Sequence, residues 1–182
     1  MTTSSDEGRL IRRAQLGDAA ALAELYDQHQ PAIYRFVYYR VGDAATAEDL
    51  TGEVFVRVVE KIDSFVYRDR PLLPWLYTIA RNLVTDYQRR SAHAVMVPLD
   101  ERLVAEDQDV EQAAERKLTQ GLLAAALVHL TEEQRQVILL KFVEGLENKD
   151  VAQIMGKSVG AVKALQHRGL AALERVLRRE RM

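Results

Sequence analysis

Apolar positions recur at helical spacing along almost the whole chain, and no sustained period-two run appears. In residues 47–62, AEDLTGEVFVRVVEKI, a turn of about 100° per residue puts Ala47, Val54, Phe55, Val58 and Ile62 on one side. Asp49, Gly52, Glu53, Val56 and Glu60 fall on the other, with Arg57 at the edge. In residues 74–90, PWLYTIARNLVTDYQRR, the core side is Leu76, Ile79, Ala80, Leu83 and Tyr87. Thr78, Arg81, Asn82, Thr85, Gln88 and Arg89 lie opposite, and Trp75 and Tyr77 flank them. The pattern predicts helices over 7–16, 18–40, 44–63, 72–91, 111–128, 131–144, 148–155 and 159–179. Gly17-Asp18 and Gly42-Asp43 are breaks with aspartate placed to cap the next helix. Pro31 is a candidate for a kink or a split in the second helix. Thr131 and Gln134 have the spacing of a capping box.

Residues 91–109, SAHAVMVPLDERLVAEDQD, carry a proline, many acids and no apolar stripe. Structureless loops of this length are uncommon inside a compact domain, so a linker is the better reading and a long intradomain loop the other. The expected architecture is all-α, with two small helical domains, 1–92 and 113–182, joined by an acidic linker over 93–112.

Composition narrows the class. The chain of 182 residues is 48% hydrophobic and 29% charged, which is globular, and it lacks cysteine. No run approaches the ~18 apolar residues of a membrane span. The first residues, MTTSSDEGRL, do not form a signal peptide, so a cytoplasmic protein is expected. The net charge is −2, but the charge is segregated. Residues 66–90 hold five cations against two acids, and residues 156–182 hold seven against two. Between them, residues 98–118 hold three cations against seven acids. If that strip covers a basic face of the second domain, charge reversal at Asp107, Asp109 and Glu111 would raise DNA affinity of the free protein.

The two basic islands coincide with motifs. In NKDVAQIMGKSVGAVKALQHRGLAAL (148–173) a short helix, a glycine at Gly156 and a second helix capped by Ser158 make a helix-turn-helix pattern. Val162, Leu165, Gly169, Leu173 and Val176 face one way. Lys157, Ser158, Gly160, Ala161, Lys163, Ala164, His167 and Arg168 are the candidate contacts for a major groove. The small residues permit close approach and the cations meet phosphates or base edges, supported by Arg175, Arg178, Arg179 and Arg181. An ordinary αα-hairpin with a solvated basic face has the same pattern. The outer face of 74–90 is hydrogen-bonding and cationic, suited to a polyanion with readable edges. FVYRDRPLL (65–73) adds Tyr67, Arg68 and Arg70, a ring and cations of the kind an unstacked base needs. The outer face of 47–62, by spacing alone, is a solvated acidic face with one exposed valine.

Taken in order, AEDLTGEVFVRVVEKIDSF (47–65), PWLYTIARNLVTDYQRR (74–90), LTEEQRQVILLKFVEGL (130–146) and the 148–173 segment resemble bacterial RNA polymerase sigma factors. The resemblance is to the extracytoplasmic-function (ECF) group of the sigma-70 family. It implies a region 2 bundle followed by a region 4 helix-turn-helix. It implies binding of core RNA polymerase through Asp49, Glu53, Val56, Arg57 and Glu60 on the clamp coiled coil of the largest subunit. It assigns Tyr67, Arg68, Arg70, Trp75, Arg81, Asn82, Thr85, Arg89 and Arg90 to the melted −10 strand. Region 4 would read the −35 duplex and dock on the flap of the second subunit, and an anti-sigma factor is the expected inhibitor. Pro71-Leu72-Leu73-Pro74 is less polar than the same stretch in many members, which leaves the captured base open.

Two other classes fit less of the chain. A stand-alone helix-turn-helix repressor or activator explains 113–182 but not 47–90. For an enzyme, His29, His93, His129 and His167 are scattered and no phosphate-binding or nucleophile motif occurs, so no catalytic residue, metal or cofactor is expected.

Overall fold

The structure, a computed structural model, describes residues 4–68, 71–91, 119 and 121–180. Arg70, Arg181, the linker with Asp107, Asp109 and Glu111, and the start of the helix expected at 111–128 lie outside them. Every regular element among the described residues is helical.

The front domain is built from α1 (Ser4–Gln15), α2 (Ala19–Val41), α3 (Ala44–Lys61), a single 3₁₀ turn (Ile62–Ser64) and α4 (Leu73–Ser91). The breaks work as their chemistry demands. Asp18 accepts hydrogen bonds from the Ala20 and Ala21 amides at 3.0 and 3.2 Å. Gly42 takes the left-handed conformation at φ 75°, and Asp43 then accepts from the Thr46 amide at 2.8 Å. Pro31 does not divide α2. It lies on the exposed side of the helix, where water can satisfy the carbonyl its missing N–H leaves open. α2, α3 and α4 pack on one another with α1 across α2. Ile33, Phe36, Val37, Val54, Leu76 and Tyr77 fill the centre, and the Phe36 and Tyr77 rings meet edge to face at 5.3 Å.

The rear domain comprises α5 (helical over 121–127), α6 (Glu132–Ile138), α7 (Asn148–Met155) and α8 (Val159–Glu180). The Thr131–Gln134 capping box forms in both directions, at 3.2 and 3.3 Å. The expected helix over 131–144 stops being α-helical at Ile138 and widens into a π turn, Leu139–Val143. The Glu144 amide donates five residues back, to the Leu139 carbonyl, at 2.9 Å. Leu139 and Leu140 are buried there, and the Glu144 carboxylate points into the front domain. Gly156, at φ 62°, turns the chain between α7 and α8, and Ser158 Oγ caps α8 by accepting from the Ala161 amide at 3.1 Å. α6 and α8 cross closely at Gly169, where a Cβ would lie 3.1 Å from Ile138 Cγ1.

Gly169→Leu should therefore overpack the α6–α8 crossing and lower stability by about 1–3 kcal/mol, seen as a lower urea midpoint at unchanged slope.

Candidate nucleic-acid and polymerase interfaces

α8 separates its faces as its sequence dictates. Val162, Leu165 and Gly169 are buried against α6 and α7. Gly160, Lys163, Ala164, His167 and Arg168 are all exposed. A Cβ on Gly160 would meet only Ser158 Oγ, at 3.9 Å, so nothing inside the domain requires its small size. Ala161 is half-buried beside them, and Ser158 spends its hydroxyl on the cap. Lys157 departs from expectation. Its ammonium is held by Glu133 at 2.6 Å and is not an outward cation, because the turn folds it back on the first turn of α6.

In the front domain, Asn82, Arg89 and Arg90 are exposed on α4, Arg89 within 3.7 Å of Asp86. Arg81 and Thr85, expected on the open face, are half-buried instead. Arg81 Nε donates to Gln136 Oε1 of α6 at 2.9 Å, and Thr85 Oγ1 accepts from Arg40 at 3.2 Å. The rear domain sits against this part of the ridge. Tyr77, placed at the flank by spacing, is fully buried. Upstream, the Phe65 and Trp75 rings meet at 4.9 Å, tilted 40° to one another. With Val66, Arg68, Pro74 and Thr78 they line an open groove of about 690 Å³ that Asp150 and Gln153 of α7 close on the far side. Arg68 is exposed, while Tyr67 is half-buried with its ring against α1.

The contacts between the domains escaped the sequence reading. Arg40 is fully buried on α2. It donates to Glu132 at 2.6 Å, the Arg81 carbonyl at 3.3 Å, Thr85 at 3.2 Å and Gln88 at 3.4 Å. Burial drives its pKa down against the pull of Glu132, and it lies 5.5 Å over the Phe36 ring. Glu144 accepts both arms of Arg35, at 2.8 and 2.5 Å, and the Tyr77 hydroxyl at 2.7 Å. Those hydrogen bonds raise the Arg35 pKa, while burial, with Glu144 beside it, pushes Tyr77 far up. Arg40, Gln136 and Glu144 each stand at helical positions that carry no mark of a partner in another domain.

On α3, Asp49, Val56, Arg57 and Glu60 are exposed and Glu53 half-exposed, on the side away from the core. Val59, unremarked in the sequence, is 55% exposed beside Val56 at 56%. Arg57 lies 3.6 Å from Glu53 and 3.9 Å from Glu60, so this surface is a mixed-charge strip around two valines.

A helical bundle followed by a helix-turn-helix with a free reading face defines a DNA-binding protein of the transcription machinery. The comparisons specify the class. Residues 25–94 match sigma-70 region 2 and residues 120–173 match sigma-70 region 4. The ECF RNA polymerase sigma factor BldN of Streptomyces coelicolor is 42% identical over 95% of this chain and 67% of its own length. The ECF sigma factor SigL of Mycobacterium tuberculosis is 30% identical over 92% of this chain and 94% of its own. The sigma factor RpoE of Bartonella quintana, solved with the anti-sigma factor NepR, shares the fold at TM-score 0.68 and 23% identity, over 86% of this chain and 96% of that one. The chain belongs to the ECF group of the sigma-70 family, and it is a transcription initiation factor that directs core RNA polymerase to promoters. The stand-alone repressor finds no support in these relatives.

The polar contacts between the domains have a consequence in solution. Glu132→Ala combined with Glu144→Ala should favour separated domains, raising the radius of gyration measured by small-angle scattering. Salt near 1 M, where the Debye length is about 3 Å, should move the wild type less, because one member of each pair, Arg40 and Glu144, is buried.

Proposed function

We propose that the two domains divide promoter recognition, with residues 1–92 acting as region 2 and 113–182 as region 4. α8 enters the −35 major groove with Gly160, Ala161, Lys163, Ala164, His167 and Arg168, and the Ser158 cap holds its leading end. Lys157 stays with Glu133 and contributes to the turn. The observation that carries this reading is the exposed face of α8, where small and cationic residues stand together without an acid among them. Major-groove entry needs that combination of close approach and positive charge.

Region 2 holds the opened −10 strand on Asn82, Arg89 and Arg90, with Trp75 and Arg68 beside the groove and Tyr67 supporting it from the α1 side. Arg81 joins once α6 withdraws and releases its Nε from Gln136, and Thr85 joins once it leaves Arg40. No covalent change is made. Opening costs about 1.4 kcal/mol per base-pair step. Each base stacked on an aromatic surface returns about 1–3 kcal/mol. A few captured bases therefore offset much of the cost, and polymerase supplies the rest. The strip of Asp49, Glu53, Val56, Arg57 and Glu60, extended by Val59, docks on the polymerase clamp, and region 4 also meets the flap. An anti-sigma factor is the inhibitor the family membership supports, and a cytoplasmic location follows from the reaction.

Run-off transcription with core enzyme on a randomised promoter library tests the whole reading, since it requires dependence on both elements. Holoenzyme carrying Arg81→Ala, Asn82→Ala and Arg89→Ala should lose at least about tenfold in open complexes, or 1.4 kcal/mol, by permanganate footprinting. Lys163→Ala with Arg168→Ala should instead weaken −35 duplex binding and flatten its salt slope by about 0.9 for each phosphate left without its cation.

A further inference from the structure

We propose that α1 is the positioning element for strand capture, acting through Gln15, Gly8 and Glu7 on the segment that runs from Ile62 to Leu72. The proposal rests on the reading of that segment as part of the −10 site. α1 lies ahead of the residues that match region 2, which begin at 25, so the family match does not cover it.

One helix fastens the segment at its beginning, middle and end. At the beginning, Gln15 Nε2 donates to the Ile62 carbonyl at 2.9 Å and to the Phe65 carbonyl at 2.8 Å. These two carbonyls bracket the point where the chain leaves the 3₁₀ turn, and the Phe65 ring then lies tilted against Trp75 at the wall of the groove. In the middle, the Tyr67 ring lies directly on the α1 backbone, and a Cβ at Gly8 would come within 2.7 Å of Tyr67 Cε1. At the end, Glu7 Oε1 accepts from the amide of fully buried Leu72 at 3.4 Å. His29 of α2 stands 3.7 Å behind that carboxylate.

Packing alone does not require this choice of residues. Glycine inside a helix is worse than alanine by about 0.5–1 kcal/mol, and Gly8 has no positive φ to justify it. What it provides is room for a ring. Gln15 could pack as an apolar residue, yet its side-chain amide donates to the first residue of the 3₁₀ turn and to the residue that follows it. Arg68 and Pro71, between the fastened points, stay exposed at the mouth of the groove. The helix thus fixes Ile62, Phe65 and Tyr67 on one side of Arg68 and Leu72 on the far side of Pro71, and residues fixed in advance lose less conformational freedom on binding.

Holoenzyme assembled with Gln15→Ala, Gln15→Lys or Gly8→Val provides the test. The readouts are affinity for a single-stranded non-template −10 oligonucleotide, its change on replacing each base in turn, and affinity for a −35 duplex. Gln15→Ala and Gly8→Val should weaken oligonucleotide binding by about tenfold, the scale of two missing hydrogen bonds, and flatten the base preference. Affinity for core enzyme and the −35 duplex should be unchanged, which also reports that each variant is folded. Gln15→Lys, which keeps a donor in reach of both carbonyls, should recover most of the loss. Folded variants that bind the oligonucleotide with wild-type affinity and base preference overturn the positioning role. Wild-type holoenzyme without base preference overturns the −10 reading itself, and the positioning role with it.

Discussion

A guanidinium with no access to water governs how this molecule is put together. Arg40 sits at the end of α2 with 0% exposure, and a set of acceptors holds it against the like charges of Arg81 and Arg135. The Arg81 carbonyl, Thr85 and Gln88 bring one face of α4 to it, and Glu132 brings the first turn of α6. Removing one partner of a buried ion pair costs about 3–5 kcal/mol, so the position of α6 against the front domain is tied to this one side chain. Glu132 is 35% exposed, however, so water already reaches the outer side of the pair. When α6 withdraws, Arg40 keeps its acceptors on α4 and gains solvent where Glu132 was. The joint is specific, yet it can open.

The other contacts have the same character. Arg35, Tyr77 and Glu144 form a polar knot, and Arg81 meets Gln136 through a single hydrogen bond. Such surfaces are ordinary for domains that move relative to one another. They also explain why α4 looked more open in the sequence than it is. Arg81 and Thr85 lie on the side away from the front core, as their spacing says, but there Arg81 meets Gln136 of the second domain and Thr85 meets the buried Arg40 of α2.

What the sequence disclosed was local. Aspartates at 18 and 43, Thr131 with Gln134, and Gly156 with Ser158 each act within a few residues, and their chemistry marks element ends whatever the fold around them. The faces of α3 and α8 followed for the same reason, since one periodicity decides both burial and exposure. The joint was not legible because Arg40 and Glu132 are 92 residues apart and Arg35 and Glu144 are 109 apart. Nothing in a helical stripe distinguishes an arginine that will find a distant carboxylate from one that meets water. The π turn was hidden too, because it shows only in how Glu144 is aimed once α6 has been placed. Lys157 shows the converse case. Its spacing marks a cation beside α8 but not the Glu133 carboxylate that the turn places against it.

The closed arrangement treats the two proposed DNA surfaces unequally. On α8, Gly160, Lys163, Ala164, His167 and Arg168 are exposed with the domains together. The strand-holding ridge is divided: Asn82, Arg89 and Arg90 are open, while Arg81 and Thr85 are engaged. On the proposed roles, full contact with a separated strand needs a rearrangement, because Arg81 Nε is engaged by Gln136 and Thr85 Oγ1 by Arg40. Exchanging one acceptor for another is nearly neutral, since only the difference between two hydrogen bonds remains. Parting Glu132 and Glu144 from their arginines costs more than that exchange. On the proposed roles, strand capture by the free protein therefore stays partial while the two domains are together.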